Sequence, residues 1–419
     1  MNKSLTPSAF DAELQIPPSK SYMQRAVAIA TLADGSTRIC NPDQSNDSRG
    51  GLSVSRSLGC EVGEGDGFVV ITPHQNPAAD TVDVGEAGLG LRLYTPICSL
   101  QGKAMTVTGH GTLLSRPVNE MIEPLAALGV SATLTNNCAP VHVQGQLKGG
   151  GTVHIDASKS SQFLSGLLIA LPKAQHDTTL IIDALNSRPY VEMTMEIIRQ
   201  FGGVIDNDNF RTIRIPGNQH YNRPEYTVES DWSSAAAHLA AGAIAGKTIA
   251  KGLNINSLQA DKAIIDVLKA CGAGVAAEGG VVTITKNDLQ AFHFDATNAP
   301  DLFPVLAALA ANCKGVSEII GTDRLIHKES NRAKSIAEEF AKIGINVDIS
   351  QQNKMLIHGG KIHGGVTVSA RHDHRMAMAL AVCALTADSP IELEDAESVA
   401  KSYPDFWNDW GKCIMNYAL

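Results

Sequence analysis

Ala126–Ala132 reads AALGVSA, an apolar helical run closed by a bulky residue and a glycine. The same phrase returns as Arg56–Val62 (RSLGCEV), Arg199–Ile205 (RQFGGVI), Lys269–Val275 (KACGAGV), Ala341–Val347 (AKIGINV) and Asn408–Ile414 (NDWGKCI). The spacing is about 70 residues, too long for a solenoid and right for a small α/β unit. A second helix-like stretch precedes each phrase, as in RAVAIATLADGST, LRLYTPICSLQGK, SQFLSGLLIALPK and SSAAAHLAAGAIAGKT. After the phrase, short alternating stretches such as SATLTNN and VHVQG read as paired strands. Helical and alternating periods interleave throughout, so the class is mixed α/β. Polar and charged residues stand at the front of the first helices or between the two helices of a unit. Such a chain concentrates helix N-termini and charged loops, which suits an anionic ligand.

Apolar residues make up 44% and charged residues 18% of the 419, a globular composition with a large core. The net charge of -9 argues against a general nucleic-acid binder, which needs a basic face. No CxxC occurs among the eight cysteines, which read as buried free thiols and not as a zinc site. The N-terminal MNKSLTPSAFDAEL lacks a signal-peptide core, and no apolar run reaches membrane-spanning length, so a cytoplasmic location with no membrane partner is expected. The polar stretch GNQHYNRPEYTVE, Gly217–Glu229, reads as the boundary between two halves of three repeats each. FDAELQI, before the first repeat, reads as a strand completing the other half. The expected domains are therefore 1–18 with 230–419, and an inserted 19–229.

Several short constellations fall at matching places in the repeats. Pro17-Pro18-Ser19-Lys20-Ser21 leads into a helix with Arg25 one turn on. Gly85-Glu86-Ala87-Gly88-Leu89-Gly90-Leu91-Arg92 is a glycine-rich approach to the next helix. Ser115-Arg116-Pro117 follows a strand. Ser160, Ser161 and Gln162 open another helix, with Ser187 and Tyr190 in a later loop. Asp301 opens DLFPVLAALAA, His327–Arg332 is the most charged loop, and His372-Asp373-His374-Arg375 opens the sixth repeat's first helix. Each alone is ordinary: an N-cap, a surface turn, an i,i+3 pair, or a solvated lysine such as Lys401. Together Lys20, Arg25, Arg92, Arg116, Lys328, Arg332, Arg375 and Lys401 put eight cations on an acidic chain, which points to a multiply anionic ligand. His372 and His374, two apart, do not share a helix face, so no metal site is expected.

The ordered set SKSxxxR, GxAGxxxR, SSQF, Lys328-Glu329…Arg332, DHRMAM and AKSYPD resembles the 5-enolpyruvylshikimate-3-phosphate synthase family, from about Pro17 to Asp405. The resemblance implies two domains of three βαβαββ units each, joined by two chain crossings around a closing cleft. It implies a monomer that transfers the enolpyruvyl group of phosphoenolpyruvate to the 5-hydroxyl of shikimate-3-phosphate through a tetrahedral ketal, with no metal or organic cofactor. Shikimate-3-phosphate would be held by Lys20, Ser21, Arg25, Ser160, Ser161, Gln162, Ser187, Tyr190, Asp301, Arg324 and Lys328. Phosphoenolpyruvate would be held by Lys20, Gly88, Arg116, Gln162, Arg332, Arg375 and Lys401. Glu329 would shuttle the proton at C3, Asp301 would take the hydroxyl proton, Lys20 would assist phosphate departure, and His374 would support Glu329.

The chain departs from the family pattern at Pro18, where glycine is usual, at Glu86 (asparagine), Leu89 (threonine) and Arg324 (asparagine). Glu86 and Arg324, both changed, are expected to pair when the cleft closes, and Leu89 is expected to weaken inhibition by glyphosate. The sister enzyme acting on a UDP-linked amino sugar is disfavoured because GHGTLLSRPVN carries no cysteine. RNA 3′-phosphate cyclase is disfavoured by the acidic balance. A relative with a changed acceptor, or a silent binder of phosphorylated metabolites, is the remaining alternative.

Overall fold

The structure, a computed structural model, describes residues 1–74 and 78–415. The chain packs as two compact units, Lys20–Val228 and Met1–Ser19 with Glu229–Leu419. The recurring glycine phrase has a physical origin. The helices Asn46–Ser57, Ile122–Ala127, Arg188–Gln200, Ile264–Ala270 and Arg332–Lys342 each end on a buried C-cap: Leu58, Leu128, Phe201, Cys271 and Ile343. The following glycine takes a left-handed conformation, with φ between 82° and 93° at Gly59, Gly129, Gly202, Gly272 and Gly344. The next N–H then reaches back to a carbonyl in the last turn, as in Cys60 to Ser55 and Gly203 to Ile198, both 2.9 Å. This closure satisfies orphan carbonyls and turns the chain into a strand; a Cβ would oppose it. The sixth phrase differs: Gly411 lies inside the helix Phe406–Cys413, so it caps nothing.

Within Lys20–Val228 the sheets share one order. Thr81–Asp83 runs parallel to Met105–Thr108, which pairs antiparallel with Cys138–Gly145, itself antiparallel to Val130–Thr135. Thr152–Ala157, Thr178–Leu185, Thr212–Ile215 and Asp206–Asp208 repeat the pattern. The sheet of Thr37–Cys40, Phe68–Thr72 and Glu61–Gly65 obtains its parallel strand from the far end of the unit, Glu225–Thr227.

The other unit borrows in the same way. His293–Asp295, Val316–Ile320, Lys354–His358 and Val347–Asp348 keep the standard order. Ala9–Gln15, the strand expected to complete this half, lies parallel to Gly246–Lys251, followed by Val281–Thr285 and Gly274–Glu278. The last sheet pairs Thr367–Ser369 with Ile391–Glu394 and takes Lys3–Leu5 as its antiparallel neighbour, while Ile414–Met415 joins Ala9–Gln15 instead.

The first helix of each repeat is buried along nearly its whole length. Lys20–Thr31, Gly88–Ser99 and Gln162–Ala170 pack on one another in one unit, as do Trp232–Ala245, Phe303–Ala311 and His374–Ala384 in the other. Gly166 lets two of them approach closely, since a Cβ there would sit 2.2 Å from the Arg92 carbonyl oxygen. The second helices, such as Arg188–Gln200 and Arg332–Lys342, are amphipathic and flank this core. Within each unit the N-terminal residues of these inner helices include several of the candidate site residues. Among the described residues no helix is long and apolar enough to cross a membrane.

His238 is buried in the middle of Trp232–Ala245. Its ring is surrounded by Phe10, Tyr403, Phe406 and Trp410, with centroids 5.6–6.2 Å away. Neither ring nitrogen finds a hydrogen bond among the described residues. Burial pushes its pKa down to about 4, against a weak opposing pull from Asp409. The unfolded chain therefore gains a proton near pH 6.5 that the folded chain refuses until about pH 4, and stability falls across that window as the pH drops. His238→Phe is expected to remove up to about 3 kcal/mol of this acid loss. Urea midpoints measured between pH 7 and pH 4 check it; equal pH dependence in both proteins contradicts it.

Candidate active site

In the Lys20–Val228 unit, Lys20 is the first residue of its helix, and its ammonium lies 3.0 Å from the Asp47 carboxylate. Ser21 stands inside the first turn and is not a cap; its carbonyl accepts from the Arg25 guanidinium at 2.9 Å. Arg25 is fully buried, donates to the Thr194 hydroxyl at 2.7 Å and lies 5.9 Å from the Tyr190 ring. Burial lowers its pKa to about 10, which leaves it a cation at neutral pH. Thr194 donates to the Tyr190 carbonyl at 2.8 Å and lies 3.0 Å from the Ser165 hydroxyl, which donates to the Ser161 carbonyl at 3.2 Å. The Ser161 hydroxyl lies 3.5 Å from the Ser187 carbonyl. Arg25, Tyr190, Ser161 and Ser187 therefore belong to one connected network. Ser187 is held at φ 56°, a left-handed strain that a serine tolerates only where its surroundings impose it. The Ser160 hydroxyl accepts from the Gln162 N–H, at the start of its helix, at 3.3 Å.

Gly88 begins the helix Gly88–Ser99, and the Arg116 guanidinium lies directly against it. A Cβ at position 88 would stand 2.7–2.9 Å from three guanidinium atoms, so the glycine is what admits the arginine. Arg92 corrects the count of eight ligand-seeking cations. It is buried one turn inside the helix, 2.7 Å from the Glu120 carboxylate, 2.8 Å from the Pro117 carbonyl and 3.3 Å from the Gly88 carbonyl. It braces the loop that presents Arg116. Glu86 lies with its carboxylate 3.7 Å from the His110 ring, and Leu89 is buried.

The other unit assembles its residues around Arg332, which is 1% exposed. Its guanidinium is 2.8 Å from Asp373, 2.7 Å from Asp301 and 2.8 Å from Glu329. Lys328 adds a second cation 3.4 Å from Asp301. Burial raises the proton affinity of Asp301, but Lys328, Arg332 and Arg375 override it and hold the carboxyl well below the usual carboxylate range. Burial lowers the Lys328 pKa against the pull of Asp301, with Arg332 and Arg324 nearby also lowering it. Asp373 is the N-cap of His374–Ala384, accepting from the Arg375 N–H at 3.0 Å, and its carboxylate is 3.8 Å from the His374 ring. Lys401, far from a solvated loop lysine, is 6% exposed and ends a short turn packed on the helix that carries Arg375.

The sequence reading named the cations and, among their partners, Asp301 and Glu329, with Asp373 inside DHRMAM; it missed Asp47 and Glu120, which carry no motif. The turn leading into Asp373 has Arg371 and His372 both at φ 54°. Glu339, fully buried, holds it by accepting from the Ser369 N–H at 2.9 Å and from Arg371 at 2.8 Å, with Lys342 at 2.7 Å. Glu339→Gln is expected to loosen this turn at a cost of about 1–3 kcal/mol, since two cations lose their carboxylate. Faster amide exchange at residues 369–375 is the signature; unchanged exchange there contradicts the assignment.

A family model described as EPSP synthase (3-phosphoshikimate 1-carboxyvinyltransferase) matches residues 5–410. The chain is 34% identical to the 3-phosphoshikimate 1-carboxyvinyltransferase of Clostridium novyi (strain NT), covering 98% of this chain and 97% of the relative. It superposes on the solved EPSP synthase of Acinetobacter baumannii with a TM-score of 0.81 at 25% identity, covering 99% of this chain and 98% of that one. The enolpyruvyl transferase NikO from Streptomyces tendae shares the fold, with a TM-score of 0.78 at 20% identity over 98% of this chain and 97% of its own. Ordered motifs, repeated fold and full-length similarity agree: the chain belongs to the EPSP synthase (3-phosphoshikimate 1-carboxyvinyltransferase) family.

Proposed function

We propose that this enzyme transfers the enolpyruvyl group of phosphoenolpyruvate to the 5-hydroxyl of shikimate-3-phosphate and releases phosphate. The observation that carries the reading is Arg332, buried among three carboxylates beside Lys328, in a chain that matches the family over nearly its whole length. A buried arginine suits a carboxylate or phosphate, which its planar fork binds through two hydrogen bonds.

The roles divide by unit. In Lys20–Val228, Arg25, Ser160, Ser161, Ser187 and Tyr190 hold the phosphate of shikimate-3-phosphate, with Lys20, Ser21 and Gln162 on neighbouring groups. Gly88, Arg116, Gln162 and Lys20 hold phosphoenolpyruvate. In the other unit, Asp301, Arg324 and Lys328 take ring hydroxyls, while Arg332, Arg375 and Lys401 take phosphoenolpyruvate. Each unit is thereby assigned residues for both substrates, with the phosphate of shikimate-3-phosphate given to Lys20–Val228. The enzyme works as a cytoplasmic monomer on these two small molecules, with no cofactor.

Chemistry follows from the charge balance around Arg332. With the site empty of substrate, the cations satisfy Asp301 and Glu329. An arriving phosphate or carboxylate takes over part of that positive charge, and both side chains then hold protons more strongly. Asp301 thereby becomes a competent base as the 5-oxygen bonds to C2 of phosphoenolpyruvate. Glu329 delivers a proton to C3, giving the ketal. It then recovers a proton from the new methyl group as the C2–O bond to phosphate breaks, with Lys20 neutralising the departing phosphate. His374 steadies Glu329. Positioned proton transfer of this kind contributes roughly 10²–10⁴ in rate.

Inorganic phosphate release by the purified protein is expected only with both substrates present. Release with phosphoenolpyruvate alone, or binding of either substrate without release, contradicts the reading and favours a changed acceptor or a silent binder. Gly88→Ala is expected to fold normally, because the crowded atoms are the mobile end of Arg116. It should raise the KM for phosphoenolpyruvate by about fivefold or more, with the KM for shikimate-3-phosphate little changed. Steady-state kinetics check it, and an unchanged KM for phosphoenolpyruvate rejects the role given to Arg116.

A further inference from the structure

Two groups assigned above to phosphoenolpyruvate, Arg375 and Lys401, follow two neighbouring strands of one sheet. Thr367–Ser369 and Ile391–Glu394 run parallel, with Ser369 opposite Glu394, so the chain leaves both strands in the same direction. The first exit, residues 370–373, leads to Arg375 in the first turn of its helix. The second, Ala396–Lys401, ends on Lys401. Asp395 stands where the second exit begins, between the DHRMAM and AKSYPD motifs and outside both.

Asp395 reaches the first exit through its side chain. Its carboxylate accepts from the Ser369 hydroxyl at 3.1 Å and lies 3.4 Å from the His372 ring. The same hydroxyl accepts from the Arg371 N–H at 3.0 Å. The Ala370 N–H donates to the Glu394 carbonyl at 3.1 Å alongside. Asp395, Arg371 and His372 are all left-handed, with φ of 58°, 54° and 54°. None is a glycine, so each conformation is disfavoured unless its surroundings impose it. The three strained residues thus share one set of contacts, with the Ser369 hydroxyl at its centre.

Resting on the function proposed above, we infer that Asp395 is a positioning residue for phosphoenolpyruvate: through Ser369 it fixes the Lys401 turn against the turn that leads to Arg375. Both cations must meet one small molecule, so their spacing has to be set before it arrives. A misplacement of about 1 Å in such a site can cost about a hundredfold. Asp395 itself touches no substrate.

The test is steady-state kinetics of the whole enzyme, with KM resolved for each substrate. Asp395→Gly keeps the left-handed conformation accessible and removes the side-chain tether. It should raise the KM for phosphoenolpyruvate about fivefold or more, with the KM for shikimate-3-phosphate within about twofold of native. Asp395→Asn still accepts from Ser369 and tolerates the left-handed backbone, so it should recover most of that loss. Ser369→Ala removes the tether from the other side and should raise the same KM. An unchanged KM for phosphoenolpyruvate in Asp395→Gly overturns the inference. Equal rises in both KM values overturn it too, since they mark a structural role only, as does an Asp395→Asn protein no better than Asp395→Gly. Should Asp395→Gly not fold, an unchanged KM for phosphoenolpyruvate in Ser369→Ala overturns it equally. Absence of phosphate release by the native enzyme overturns the proposed function and this inference with it, whereas native release with unaltered variants overturns the inference alone.

Discussion

Burying Arg332 constrains much of what surrounds it. An unpaired guanidinium in that position would cost several kcal/mol, so the fold must bring it carboxylates. It brings three, from three places: Asp301 before one inner helix, Asp373 capping another, and Glu329 three residues upstream. These contacts bridge 31 and 41 residues of sequence. The repeat architecture makes such distances short, because inner helices packed side by side end together. The charged loop between the two helices of the fifth repeat is thereby fastened to the starts of the first helices of the fifth and sixth.

The same arrangement leaves the cluster poised instead of merely stable. Replacing a buried ion network by apolar groups often costs little stability, so such networks are weak evidence for a purely structural role. Here Asp301 is held in its charged form by cations that an incoming anion can share. In the proposed reaction that exchange links substrate binding to proton transfer. Arg92 shows the contrasting case: with Glu120 and two carbonyls around it, its charge is consumed in holding a loop.

The fold was legible because its governing signals are local. A left-handed glycine after a buried cap is written in two adjacent residues, and five of the six phrases have that meaning. The sixth misleads because Gly411 matches the pattern inside a helix, while the strand that should follow its turn goes to another sheet. The borrowed strands Lys3–Leu5 and Glu225–Thr227 had no separate signal, since three residues carry no period. At the candidate site the cations were legible from helix starts. Asp301, Glu329 and Asp373 were legible beside them, but Asp47 and Glu120 acquire meaning only through packing between elements apart in sequence. Lys401 and Arg332 look like surface residues by spacing and are buried in fact, because their neighbours in space are not their neighbours in the chain.

The central claim is that C3 of phosphoenolpyruvate is protonated within this enzyme, passing through a methyl group before phosphate leaves. Running the reaction in heavy water and analysing the product by mass spectrometry tests it directly. Once C3 has become a methyl group it can rotate, and any of its three hydrogens can be removed. The account predicts deuterium in the vinyl methylene of the product, dependent on both substrates and abolished in Glu329→Gln. A product formed at full rate with no deuterium in that position would contradict it.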